Sequence, residues 1–330
     1  MLNYKKQEVI FLNLKQAKSE LHLHLDGSIR PSSLLEICKE KNISIPATSL
    51  QEVTRLMEVP ENCDSLNTYL KRFDLPLMIL QDGESIERVT YELAEDLTKE
   101  GIEYGEIRFA PFYSTKNGLT QEMVTKAAIN GAKKAMKNHP NIRIGLILCC
   151  MRGLDEDINL ETVKVCSNLL GDVVCAIDLA GAEALYPTSD YKYIFDKAKD
   201  AHIPFTIHAG EAAGPESIYS ALEFGTKRIG HGVRCIEDSN LMKQLNEREI
   251  ILEVCPTSNC QTFPLKKASL HPIRKLFDSG IKITLNTDNR TVSHTSLNKE
   301  IELLKNEFGF TENEFDTIWK NAQEARFLKQ

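Results

Sequence analysis

The chain alternates short apolar runs with amphipathic stretches. Eight runs read as strands: ELHLHLD from residue 20, YGEIRFAP from 104, RIGLILCCM from 143, VVCAIDLAG from 173, PFTIHAGE from 204, RIGHGV from 228, ILEVCP from 251 and KITLNTD from 282. Between them lie helical patterns such as GESIERVTYELAEDLTKEG, where Ile86, Val89, Leu93 and Leu97 share one face and Gly101 closes the end. Strands alternating with helices predict a parallel sheet. Eight such units fit an α/β fold of the (β/α)8 TIM-barrel type better than an open sheet, and neither G-x-G-x-x-G nor a P-loop supports a nucleotide-phosphate fold.

The stretch from 29 to 103 is too long for one crossover helix, so it predicts extra helices inserted after the first strand, over the barrel mouth. In SLNTYLKRF, Leu66, Tyr69, Leu70 and Phe73 fall on a single face at i, i+3, i+4 and i+7. Two readings stay open for that helix: core packing, or a lid over a pocket. No repeat, low-complexity tract or Pro/Gly/Ser linker divides the chain, so residues 1–330 are expected to form one barrel domain.

Composition narrows the partners. A net charge of −7, with Lys and Arg scattered, argues against nucleic acid and favours a small molecule. The nine cysteines are an odd number, lack C-x-x-C spacing and lie partly in apolar runs, which suits buried thiols in a reducing compartment. The longest apolar run, IGLILCCM, falls short of the roughly 20 residues a bilayer requires. The first twenty residues carry no sustained apolar region, so a cytoplasmic protein free of the membrane is expected; oligomeric state is left open.

The chemistry begins in the first run. Residues two apart in a strand share a face, so His22, His24 and Asp26 point one way and Leu21, Leu23 and Leu25 the other. By itself H-x-H fits a solvated edge as well as half a metal site. Further candidates follow at the C-terminal ends of later runs, where barrels keep their active sites: His208 and Glu211, His231, and Asp288. His139, His202, His271 and His294 occupy turn-like contexts and read as structural or solvated. Burying several imidazoles and acids together is costly unless they pair or bind a cation. Three imidazoles and one carboxylate suit a borderline-soft divalent ion such as zinc, with a position left for water.

ELHLHLDGS, YGEIRFAP, VCAIDLAGAE, HAGE, RIGHGV, LEVCPTSN and LNTDN, in that order across residues 20 to 289, resemble the adenosine deaminase family. The resemblance implies a barrel hydrolase with one Zn2+ per chain, acting on a purine nucleoside. It assigns His22, His24 and His208 as imidazole ligands and Asp288 as the carboxylate ligand that also holds the attacking water. Glu211 would protonate purine N1, and His231 would orient the nucleophile or take its proton. Asp26 would accept from the ribose 5'-hydroxyl, the Gly181 N–H would meet N3, Asn289 would face N7, and His24 would also border the substrate. Leu66, Tyr69, Leu70 and Phe73 resemble the family's hydrophobic gate.

The chain departs from the family at two places. Asp288-Asn289-Arg290 stands where many members have Asp-Asp-Pro, and an amide at Asn289 can donate to purine N7 at any pH. Ala182 stands where the motif often reads Gly-Asp-Glu. Two rivals remain. A deaminase of the same family could act on free adenine or on an N6-substituted AMP, although a carboxylate at Asp26 would repel a 5'-phosphate. A non-catalytic purine-binding barrel would be expected to lack a ligand or the acid. The H-x-E and P-C-x-x-C pattern of cytidine-type deaminases is absent.

Overall fold

The computed structural model describes residues 18–60, 63, 66–262 and 268–329, with the backbone alone at 66, 67 and 268. Eight strands follow one another: β1 (Lys18–His24), β2 (Ile102–Phe109), β3 (Arg143–Met151), β4 (Val174–Ala180), β5 (Ile207–Ala209), β6 (Arg228–His231), β7 (Ile251–Val254) and β8 (Lys282–Leu285). Every neighbouring pair within β1–β4 and within β5–β8 is parallel. Two short seams close the ring. Ile177 pairs with Phe205 between β4 and β5, and Leu23 pairs with Asp288 beyond β8, through His24 N–H to Asp288 O at 2.7 Å and Asp288 N–H to His22 O at 2.9 Å. The result is an α/β barrel of the (β/α)8 type, and its parallel register puts every strand's C-terminal end on one rim.

Helices cover the outside for the reason the pattern suggests. In the helix Gly83–Lys99, Asp82 caps the first turn by accepting from Ser85 N–H at 3.0 Å, and Ile86, Val89, Leu93 and Leu97 are buried. Gly101 takes φ +73°, the left-handed conformation that ends such a helix without a Cβ penalty. Ahead of it, helices at Pro31–Glu40, Leu50–Met57, Leu66–Leu70 and Asp74–Ile79 fill the long first connection. The run SLNTYLKRF is not one helix, because residues Lys71–Phe73 tighten into a 3-10 turn between two short α-helices.

The barrel floor is charged rather than oily. Arg108, fully buried, donates to Asp178 at 2.9 Å, to Glu253 at 2.8 Å and to the Leu21 carbonyl at 2.6 Å. Arg228 reaches Glu253 at 2.7 Å and Glu106 at 2.6 Å. The C-terminal helix Glu312–Ala325 ends beneath this network: the Ala325 carbonyl accepts from Arg228 at 3.0 Å, and the Phe327 ring lies 4.0 Å from the guanidinium. Among the described residues no helix is long and apolar enough to cross a membrane. Seven of the nine cysteines are buried, as apolar packing of free thiols requires.

One buried acid gives a pH-dependent expectation. Glu300 is fully buried and accepts from Thr257 N–H at 3.2 Å and Thr295 Oγ1 at 2.5 Å. Burial first, and the nearby Glu20 charge as well, push its carboxyl up to about 7 against the pull of those hydrogen bonds. An acid raised on folding contributes fully below its unfolded pKa, and that contribution is lost as pH rises through the folded value. Glu300→Gln is therefore expected to raise the thermal midpoint above pH 7 and to match the parent below pH 4, in unfolding scans across pH.

Candidate active site

The rim gathers the histidines and acids that lie far apart in sequence. One ligand atom from each of His22, His24, His208 and Asp288 lies within 4.8 Å of the others, and Glu211, His231 and Asp288 form a second such group. His24 Nε2 stands 3.3 Å from His208 Nε2 and 3.4 Å from Asp288 Oδ1, and His22 Nε2 stands 3.5 Å from Asp288 Oδ1. Donors about 2.0–2.1 Å from a shared cation lie roughly 3–3.5 Å from one another. Those separations fit.

The far sides of the rings explain why the inner nitrogens converge. His22 Nδ1 bonds Glu253 Oε2 at 2.8 Å, so its hydrogen points outward and Nε2 is left buried with no hydrogen-bond partner. His208 Nδ1 lies 2.8 Å from Asp178 Oδ2, an ion-pair contact too far off the N–H direction to be a good hydrogen bond. A carboxylate behind an imidazole fixes the ring and its tautomer. Burial drives His22 down to about 4 and His24 well below the usual range, so both rings offer lone pairs rather than charge. At His208 burial opposes protonation, but Asp178 outweighs it and the net shift is upward. At Asp288 burial favours the neutral acid. The neighbouring imidazoles of His22, His24 and His231, when any of them carries a proton toward it, favour the carboxylate, and the net shift is downward. An orphaned imidazole nitrogen among three other convergent donors is what a divalent cation would satisfy.

The strand ends place these groups with some strain. His231 and Asp288 adopt φ of +60° and +62°, a region that costs non-glycine residues about 1–3 kcal/mol each. Asp288 Oδ2 also accepts from Ser258 Oγ at 2.5 Å. Glu211, on the loop after β5, accepts from Thr262 Oγ1 at 2.8 Å and stands 3.5 Å from His231 Nε2. Asp26 does not continue β1 as the alternating pattern suggests. The strand ends at His24, and Asp26 opens a 3-10 turn with its Oδ1 accepting from Gly27 N–H at 3.1 Å. Burial, and then the nearby Asp288 charge, raise its carboxyl to about 6 despite that bond.

A cavity of about 390 Å³ opens above the cluster, within the range of small-molecule sites. His24, Asp26, Gly181, His208, Glu211, His231, Asp288 and Asn289 all line it, as do Tyr69, Leu70 and Phe73 from the inserted helices. The Leu66 side chain lies outside the described residues. Gly181 takes φ +104°, where a Cβ would also crowd Met151 and Arg152. Ala182 lines the same wall with a methyl group. Asn289 Nδ2 donates to Tyr69 Oη at 2.9 Å, and a Cβ on Gly27 would sit 1.8 Å from Asn289 Oδ1. Arg290 turns away from the cavity and ties Glu20 to Glu100, so the departure at that position falls outside the binding wall. A wider groove at Arg234, His271, Arg274 and Phe308 holds none of the four clustered ligands.

Several supporting residues have no local signal in the sequence. Glu253 and Asp178 sit mid-strand, and Glu253 is 231 residues from the His22 it braces. Glu183 and Asn259 occur within VCAIDLAGAE and LEVCPTSN but are unremarkable there. Glu183 accepts from the backbone N–H groups of Gly210, Glu211, Ala212 and Ala213 at 2.6–3.0 Å, and from Ser217 Oγ. One carboxylate thus shapes the loop that carries Glu211. In Glu183→Gln an amide NH2 would face those donors. The expected result is a loss of about 1–3 kcal/mol in urea unfolding, with turnover reduced because Glu211 is displaced.

The fold and this rim define a class: parallel barrels whose active site gathers imidazoles and acids at the C-terminal mouth. The family model described as Adenosine deaminase matches residues 17–330. The chain is 42% identical over 313 residues to "Adenosine deaminase" from Haemophilus ducreyi, covering 94% of this chain and 91% of the relative. It is 40% identical to "Adenosine deaminase" from Clostridium acetobutylicum, covering 100% and 97%. The chain belongs to the adenosine deaminase family. Adenine deaminase from Arthrobacter aurescens shares the fold, with a TM-score of 0.88 at 24% identity over 95% of this chain and 94% of that one. The N6-mAMP deaminase of Arabidopsis reaches 0.84 at 29% identity over 96% and 94%.

Proposed function

We propose that the protein is a hydrolase acting on a C–N bond, an adenosine deaminase that converts adenosine and 2'-deoxyadenosine to inosine and 2'-deoxyinosine with release of ammonia. The observation that carries this reading is the cavity itself, where Glu211 and His231 share a wall with the convergent donors of His22, His24, His208 and Asp288. Those four residues would hold one Zn2+ per chain. When bound, such an ion supplies the Lewis acidity that makes water nucleophilic at neutral pH.

The chain's own groups do the rest. Asp288 and His231 orient the water toward purine C6. As C6 becomes tetrahedral the displaced electron pair passes to N1, and Glu211 delivers the proton that N1 then binds. Asp288 takes one proton from the water as the water oxygen bonds C6, and passes it to N6. The C6–N6 bond then breaks, ammonia leaves, and C6 becomes a carbonyl as the remaining hydroxyl proton returns to Glu211. Gly181 N–H is offered to N3, the second N–H of the Asn289 amide to N7, and Asp26 accepts from the ribose 5'-hydroxyl. His24 borders the base. Tyr69, Leu70 and Phe73 cover the cavity and exclude bulk water, with Leu66 assigned to the same gate.

Charge at the mouth favours a nucleoside over a nucleotide. Asp26 and Asp74 both line the cavity, and Arg152 is the one Lys or Arg among the described residues that does. Its guanidinium is committed to the Tyr186 carbonyl at 2.8 Å, Thr188 Oγ1 at 2.9 Å and the His208 carbonyl at 2.7 Å. Among the described residues a 5'-phosphate would therefore meet two carboxylates and no uncommitted cation, and free adenine would leave Asp26 without a hydroxyl partner. Ammonia release from adenosine, 2'-deoxyadenosine, adenine, AMP and N6-methyl-AMP tests this. The two nucleosides should exceed the others in kcat/KM by about 100-fold or more. Preference for AMP or adenine would sink the assignment, and zinc binding without ammonia from any of them would favour a binding protein.

A further inference from the structure

His231 faces the cavity with one ring nitrogen and the protein with the other. Nδ1 lies 2.9 Å from Asn259 Nδ2, and Nε2 points toward Glu211. Asn259 is buried in the helix Pro256–Thr262, and its Oδ1 lies 3.2 Å from Nε2 of His271. His271 Nδ1 in turn receives the backbone N–H of Ile273 at 3.1 Å. This line of contacts starts from a group whose role is fixed, because a backbone N–H can only donate.

The roles then follow one by one. Accepting from Ile273, His271 Nδ1 carries no hydrogen. Burial, and then His231, push the His271 pKa down to about 3, so the ring is neutral and its single hydrogen is on Nε2. That hydrogen goes to Asn259 Oδ1, which orients the amide with its NH2 toward His231. An amide NH2 can only donate, so His231 Nδ1 accepts. The ring's hydrogen is left on Nε2, the nitrogen that faces the cavity.

From this geometry we infer that Asn259 and His271 are positioning residues that hold His231 as its Nε2–H tautomer, making it a hydrogen-bond donor to the reacting oxygen. The inference rests on the deaminase reading only for what the donor acts upon. The tautomer is a property of the protein alone. His22 follows the opposite arrangement, with a carboxylate bonded to Nδ1 and a lone pair forward. The difference between an amide and a carboxylate behind the ring separates a group that offers a hydrogen from one that offers a lone pair.

Nitrogen-15 NMR of the zinc-loaded protein, with histidines labelled, reads the tautomer directly. The expected His231 pattern is a protonated, pyrrole-type Nε2 and a bare, pyridine-type Nδ1. Asn259→Asp puts an acceptor behind the ring and should move the hydrogen to Nδ1, with kcat for adenosine falling roughly 100-fold and KM little changed. A second pair guards against a misfolded variant. His271→Phe should loosen the amide and lower kcat, whereas His271→Gln, whose amide nitrogen can replace Nε2, should restore most of it. A pyrrole-type Nδ1 in the parent protein overturns the inference, as does an Asn259→Asp protein that folds, keeps the parental tautomer and turns over normally. Absence of deamination in the parent would overturn the functional reading and leave the NMR result standing.

Discussion

Glu211→Gln is expected to abolish deamination while leaving the metal content unchanged. The side chain reaches the cavity from a loop whose backbone Glu183 holds, and its Oε1 already accepts from Thr262 Oγ1 at 2.8 Å, leaving Oε2 to carry a proton. Glutamine has the same shape and can keep the Thr262 bond, but its amide nitrogen gives up no proton. Loss of a positioned acid typically costs about 10²–10⁴-fold in rate. Metal analysis makes the test decisive, because Glu211 also lies in a ligand-type group with His231 and Asp288. Wild-type zinc with no turnover supports the acid role; loss of zinc would move Glu211 into the ligand set.

His208→Ala should have the converse signature. His208 is one of four convergent donors, and Asp178, which braces it, stays paired with Arg108 at 2.9 Å after the ring is removed. The barrel floor therefore keeps its charge balance, and the damage is confined to the rim. Removing a residue that merely braces a ligand costs about 10–100-fold in metal affinity. Removing the ligand itself should exceed that. A ligand that binds only the folded state at 1,000 times its Kd adds about 4 kcal/mol, so zinc should raise the thermal midpoint of the parent clearly and that of the variant little. Full zinc occupancy with unchanged activity in His208→Ala would remove His208 from the site.

The sequence made the strands legible because a buried parallel strand is a short apolar run between turn signals, and each of the eight runs overlaps one of the eight strands. It was less accurate at their ends. PFTIHAGE shrinks to Ile207–Ala209, and Asp26 leaves the alternation for a turn, because the rim residues are shaped by contacts with other strands rather than by their own pattern. The departure at Arg290 was visible as a departure, but its place outside the cavity was not: the partners Glu20 and Glu100 come from two other elements.

The braces were the least legible part. Nothing near Glu253 in ILEVCP marks it as the partner of His22, Arg108 and Arg228, and nothing near His271 connects it with His231. Buried charges are tolerated only with partners, so a carboxylate in the middle of an apolar run does carry a weak signal of a hidden network. Which partners it takes depends on how strands are ordered around the ring.

By itself the sequence determined the barrel, through the alternation of apolar runs and amphipathic helices, and the residue types at the rim, through period-two spacing and position at strand ends. Only the tertiary structure decided how those residues are used. Closing the ring at Leu23 and Asp288 brings the first and last strands together and makes four distant donors converge. It also decides what stands behind each imidazole, a carboxylate behind His22 and His208 and an amide behind His231. Imidazole has two nitrogens and, when neutral, one hydrogen. The chain supplies the rings, and the partner on the far side of each decides which nitrogen is bare.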